Sequence, residues 1–142
     1  MARVISVVQC VGKKRETAQK ARNLYTSPLF MAASAYAEKI SDEWYIISAK
    51  YGLVIPSEFI EPYDVTLKTM SALERKIWAE RVFSGLKPLL NTHDTVVFLA
   101  GVIYRENLVK KVKEFGCKVE IPMEGLRIGE QVSWLQGQLK NY

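Results

Sequence analysis

Four short runs rich in β-branched and aromatic residues recur along the chain: "ARVISVVQC" at 2–10, "EWYIISA" at 43–49, "DTVVFLA" at 94–100 and "CKVEIP" at 117–122. Each reads as a strand, and the first, almost unbroken in apolar residues, reads as a buried one. Helical patterns lie between and after them: "TAQKARNLY", "LFMAASAYAEKI", the stretch opened by "MSALERKIWAE", "RENLVKKVKEFG" and "IGEQVSWLQGQLKN". Strands that alternate with helices pair in parallel, because a parallel neighbour is reached only by a long crossover. The order β-α-α-β-loop-α-β-α-β-α therefore predicts a three-layer α/β fold. Its centre is a short, four-stranded, mostly parallel sheet with helices on both faces.

Local signals mark the helix boundaries. Ser27 before Pro28 reads as a cap with proline at the first helical position, and Ser71 with Glu74 as a capping box. Leu73, Ile77, Val82, Leu86 and Leu89 fall near one helical face, as do Leu108, Val112 and Phe115, with Gly116 as a stop. Trp44, Trp78, Trp134 and Leu135 read as core by position. The 142 residues amount to one domain, and 49% hydrophobic with 11% aromatic residues suffice for its core.

Twenty Lys and Arg against fifteen Asp and Glu leave a net charge of +5, spread along the chain without blocks. That balance favours anionic partners only mildly. The longest apolar run, "TVVFLAGVIY", is too short to cross a bilayer, and "MARVISVVQC" carries no signal-peptide pattern. Cys10 and Cys117 stand far apart with no CxxC pair, which fits a reduced, cytoplasmic setting.

Ligands of open parallel sheets bind outside the carboxyl ends of the strands. The segments found there are "CVGKK", "AKYGL", "AGVIY" and "PMEGLRIG". Each holds a glycine (Gly12, Gly52, Gly101 and Gly125), which lets backbone approach a ligand closely. Lys13, Lys14, Lys50, Tyr51 and Tyr104 add charge and aromatic surface to the same rim. For Cys10, the burial habit of cysteine favours a small strand-end residue over a thiol activated by the two lysines. Arg127 is a candidate phosphate partner, and the amide of Gln131 a reader of a base edge.

Several chemistries find no pattern. There is no P-loop spacing, no GxGxxG after a strand, and a single histidine, His93, at the amino end of the third strand. A Cys-His or Ser-His nucleophile is disfavoured, and neither a metal nor another cofactor is expected. One long connection stands out, "SAKYGLVIPSEFIEPYDVTL" from Ser48 to Leu67, without helical or strand period. Loops of that length usually bind or cover something. Pro56 and Pro62 stiffen it, and it carries Glu58, Glu61 and Asp64. Tyr63 and Asp64 suit a planar base and a water or sugar hydroxyl. Taken singly, they fit a packed ring and an Asx turn or helix-side cap slightly better.

The set "LYTSPLF", "SAKYGLVIP", "PYDVTL", "FLAGVIY" and "GLRIGEQVSWL", with Cys10, Gly12 and Lys13–Lys14, resembles a bacterial and phage family of small domains of unknown function. More loosely, the layout is similar to the uracil-DNA glycosylase fold, a four-stranded parallel sheet with the base pocket at the strand ends. That fold's water-activating Asp/Asn-Pro-Tyr loop is replaced here by "QCVGKK", and its His-Pro-Ser segment is absent. The resemblance thus implies an N-glycosidic bond hydrolase or transferase acting on a nucleotide or on a base in DNA, rather than uracil excision itself. Asp64, with Glu61 as substitute, then takes the carboxylate role. Tyr51, Tyr63 and Tyr104 stack on the base, and Lys13, Lys14 and Lys50 hold phosphate or the leaving base. A non-catalytic nucleotide- or nucleic-acid-binding module using the same rim is the alternative.

Overall fold

The computed structural model describes residues 2–10 and 12–141. The chain runs through β1 (Val4–Gln9), β2 (Gln19–Lys20), α1 (Ala21–Leu24), α2 (Pro28–Ile40), β3 (Glu43–Ser48), β4 (Gly52–Val54) and β5 (Phe59–Ile60). It continues through α3 (Ala72–Leu86), β6 (Thr95–Leu99), α4 (Val102–Phe115), β7 (Lys118–Glu120) and α5 (Ile128–Leu139). Single 3-10 turns sit at Leu67–Thr69 and Lys87–Leu89.

Five strands, not four, form the main sheet, in the order β4-β3-β1-β6-β7. The four expected strands are its parallel members: β1 lies between β3 and β6, and β7 flanks β6. The fifth, β4, is antiparallel to β3 and comes from the segment expected to be a structureless loop. Gly52, at φ +73°, turns the chain back so that Val54 pairs with Ile46. A three-residue strand is too short to print a period.

A second departure involves residues 17–25, where a full helix is expected and only the single turn α1 forms. The loop takes the backbone donors instead. Ala21 N–H donates to Glu58 C=O at 2.7 Å and Arg22 N–H to Pro56 C=O at 2.9 Å. Gln19 and Lys20 pair antiparallel with Ile60 and Phe59. Tertiary pairing here overrides helix propensity.

The interiors of β1, β3 and β6 are buried on both faces, as a parallel sheet covered by helices requires. Helix α2 packs on β1 and α5, while α3 packs on α4 and β4. The right-handed rule for parallel crossovers sets these two helix pairs on opposite faces. The caps form as expected. Ser27 Oγ accepts from Phe30 N–H with Pro28 at the first helical position, Ser71 and Glu74 exchange both bonds of a capping box, and left-handed Gly116 ends α4. The buried stripe of α3 is rotated from the expected one. Trp78, Ala79, Val82 and Leu86 face inward, whereas Leu73 and Ile77 are 67% and 57% exposed. The indole explains the rotation: buried Trp78 donates Nε1–H to the Ser48 carbonyl at 2.9 Å, which anchors this helix on the end of β3. Trp44 and Leu135 are buried, and Trp134 packs edge-on against Tyr36.

At the amino edge of the sheet, fully buried Asp94 accepts from Arg3 N–H and Asn91 N–H and pairs with the Arg3 guanidinium. Burial pushes this carboxyl up, but the N–H donors and Arg3 together hold it below its ordinary value. Exposed His93 precedes it, on the edge opposite the site described next.

Candidate functional site at the carboxyl edge of the sheet

The chain leaves β1 for β3 on one side and later returns to β6 on the other, so the boundary between β1 and β6 is a topological switch point. There the connections diverge and open a crevice. A polar cleft of about 240 Å³ opens at that point, lined by Gln9, Cys10, Gly12, Lys14, Asp64, Val65, Thr66, Lys68 and Tyr104. A more apolar slot of about 200 Å³ adjoins it, sharing Gln9, Lys68 and Tyr104 and adding Leu29, Gly101, Ile103, Ile128 and Gln131. Joined, the two reach the range of small-molecule sites, roughly 300–1,000 Å³.

Backbone geometry sets the floor. Cys10 N–H donates to Ile47 C=O at 3.1 Å, carrying the β1–β3 pairing one residue past the strand. Gly12 has φ +70°, and a Cβ there would lie 3.0 Å from Ser27 Cβ, so only glycine fits the turn. Lys14 forms an antiparallel bridge with Tyr25, and its Nζ stands 4.6 Å from the Tyr63 ring centroid and 5.8 Å from that of Tyr25. Both distances suit a cation over an aromatic face.

The far wall is the end of the long connection. Leu67 N–H donates to the Tyr104 hydroxyl at 3.4 Å, while Arg75 donates to the carbonyls of Leu67 (2.9 Å) and Lys68 (3.3 Å). These bonds hold Asp64, Val65, Thr66 and Lys68 against the sheet edge. Beneath them, Ser48 Oγ accepts from Tyr51 N–H at 3.1 Å and donates to the Tyr63 hydroxyl at 2.8 Å, which lies 2.7 Å from the Tyr25 hydroxyl. Burial first, then the neighbouring Cys10 sulfur, pushes the phenols of Tyr25, Tyr63 and Tyr104 above the ordinary tyrosine value. They stay protonated at neutral pH and act as hydrogen-bonding groups, not bases.

Of the residues singled out from sequence, Cys10, Gly12, Lys14, Asp64 and Tyr104 meet in the polar cleft, and Gly101 and Gln131 in the slot. Tyr63 lies under Lys14, its hydroxyl committed to Ser48 and Tyr25. Tyr104, 4% exposed and edge-on to Trp78, leaves little face for stacking. The others serve the surrounding frame. Lys13 is exposed and its carbonyl accepts from Thr26 N–H; the Lys50 carbonyl accepts from Arg81. Tyr51 donates to the Glu61 carbonyl at 3.3 Å, the exposed Glu61 side chain lines neither cavity, and Gly52 makes the turn into β4. Gly125, at φ +83°, shapes the turn before α5, and exposed Arg127 precedes that helix with its N–H on Glu130.

Gln9, Thr66, Lys68 and the apolar wall of Leu29, Ile103 and Ile128 went unread. Gln9 did leave a signal, as the one amide at the end of a strand that is apolar but for Ser6. It accepts Gly101 N–H on Oε1 at 2.7 Å and so ties the ends of β1 and β6 together. Among the described residues no helix is long and apolar enough to cross a membrane.

Comparison with known proteins adds a family and a relative. The family described as "Family of unknown function (DUF6884)" matches residues 5–137, nearly the whole length. "Uncharacterized protein YfjM" of Bacillus subtilis (strain 168) is 36% identical over 96 residues, covering 63% of this chain and 59% of that protein. The chain thus spans less than two thirds of the length of this curated relative.

Proposed function

We propose, on the premise that the chain belongs to the DUF6884 family, that the strand-end cleft binds a nucleotide or a base in DNA and cleaves or exchanges its N-glycosidic bond. The observation that carries this reading is the pairing of two unlike compartments at the switch point. A polar cleft sets the Asp64 carboxylate in the same lining as Lys14 and Lys68, and it opens into an apolar slot with amide groups in its wall. Phosphate and sugar suit the first, and a flat heterocycle suits the second. Four parallel strands with the cleft at their carboxyl ends are also the layout of the uracil-DNA glycosylase fold, and this supports the finer fold resemblance.

Breaking the bond puts positive charge on the sugar and negative charge on the departing base. Asp64 stabilises the first or positions water, and Lys68, which lines both compartments, stabilises the second. Tyr104, kept protonated, offers its hydroxyl to the same space. The carboxylate role rests on Asp64 alone, since Glu61 lies outside the cleft. The experiment is incubation with nucleotides and with DNA carrying natural and modified bases, followed by assay of free base and abasic sites. Asp64→Asn should lower base release by about 10²–10⁴-fold. Release that survives Asp64→Asn together with Glu61→Gln overturns the assignment. Binding without release under any condition favours the non-catalytic module.

A further inference from the structure

The two glutamines of the slot have their amide orientations set by chemistry. A backbone N–H only donates, so the Gln9 atom that meets Gly101 N–H at 2.7 Å is the oxygen. A carbonyl only accepts, so the Gln131 atom 2.8 Å from the Leu126 C=O is the amide nitrogen. Among the described residues the Gln9 NH₂ and the Gln131 oxygen take no other hydrogen bond. The two residues that line the slot thus keep one donor group and one acceptor uncommitted. Their order is also defined, because Gln9 lines both compartments while Gln131 lines only the slot. Moving from the polar cleft into the slot, a ligand meets the donor first and the acceptor second.

Resting on the nucleotide-site reading above, we propose that Gln9 and Gln131 are specificity-determining residues that select a base of one hydrogen-bonding polarity. That base carries an acceptor beside its glycosidic nitrogen and an N–H further along the same edge. Uracil and thymine have this order, a ring carbonyl followed by a ring N–H. Guanine has it too, with a ring nitrogen followed by the amino group. Cytosine offers the same carbonyl but then a bare ring nitrogen, whose lone pair faces the Gln131 oxygen. Adenine offers only a C–H there. A site that hydrogen-bonds one partner disfavours the analogue that leaves its half-buried polar groups unpaired.

Calorimetric titration with uridine and cytidine 5′-monophosphates tests the idea on the free ligand. Oligothymidylate against oligocytidylate tests it on the polymer, and the arm that binds identifies the source. Uridine (or thymidine) binding should exceed cytidine binding by about tenfold or more, the effect of one lost and one repulsive contact. Gln131→Leu should reduce that ratio to within about twofold, because it removes the discriminating acceptor. Gln9→Glu keeps an oxygen for Gly101 N–H, so the junction of β1 and β6 persists. It replaces the donor by an acceptor and should weaken both ligands about tenfold. Equal wild-type affinities, or a preference unchanged in Gln131→Leu, overturn the proposal. Absence of any nucleotide binding overturns it together with the site reading. Preference without base release supports it and overturns only the glycosidic reading.

Discussion

Replacing Tyr63 by phenylalanine removes one oxygen atom and, with it, the centre of the network under the cleft. The Tyr63 hydroxyl accepts a hydrogen bond from Ser48 Oγ–H at 2.8 Å and lies 2.7 Å from the Tyr25 hydroxyl, while Ser48 is fully buried. Two hydrogen bonds are lost at about 1 kcal/mol each, and a buried Ser48 donor is left without its acceptor. The expected loss is about 2–3 kcal/mol, or roughly 5–10 °C in Tm for a domain of this size. The ring stays, so the cation contact of Lys14 with it at 4.6 Å should survive. Urea denaturation of Tyr63→Phe, Tyr25→Phe and the double variant measures the effect. The double variant should lose less than the sum of the singles, because both singles break the same bond. A Tyr63→Phe loss under about 0.5 kcal/mol, or strict additivity, would refute the reasoning that this network orders the long connection.

Three further outcomes are expected. Gly12→Ala forces a Cβ to 3.0 Å from Ser27 Cβ at φ +70°, and should cost more than about 1 kcal/mol in a urea titration. Asp94 is held below its ordinary carboxyl value, so the unfolded chain binds more protons in the acidic range. Its contribution is present above the ordinary carboxylate pKa and disappears as pH falls through the depressed one. Urea midpoints should therefore drop as pH falls below about 5 and on through the acidic range, less steeply in Asp94→Asn. Lys68→Gln should weaken nucleotide monophosphates several-fold and flatten their salt dependence while leaving nucleosides unchanged, as titration at two salt concentrations will show.

The sheet was legible because burial imposes itself on local composition. Ile5, Val7 and Val8, then Ile46 and Ile47, then Val96, Val97 and Phe98 sit between two helical layers and are apolar, with Ser6 and Ser48 as the buried polar exceptions in these strands. Helix ends were legible for a similar reason, since Ser27, Ser71 and Gly116 satisfy orphan backbone groups within a turn of where they stand. Residues 17–25 were not. Their propensity is helical, but the donors of Ala21 and Arg22 belong to carbonyls of Glu58 and Pro56, more than thirty residues away, and no local pattern encodes that choice.

The same division runs through the candidate site. Glycines and lysines after strands pointed to the edge where the cleft opens, because chain reversal and ligand approach both demand them at fixed places. Which of those residues share a cavity depends on the order of the strands. Lys13 and Lys14 are adjacent in sequence, yet only Lys14 enters the cleft, because its bridge to Tyr25 lays it over the Tyr63 ring. The four parallel strands, the helix caps and the carboxyl edge as the place to look were legible in the residues alone, since these follow from interactions within a few residues. Only the tertiary structure decided that Gln9, Asp64, Lys68, Tyr104 and Gln131 meet there, because that grouping depends on the crossovers that carry β3 to one side of β1 and β6 to the other.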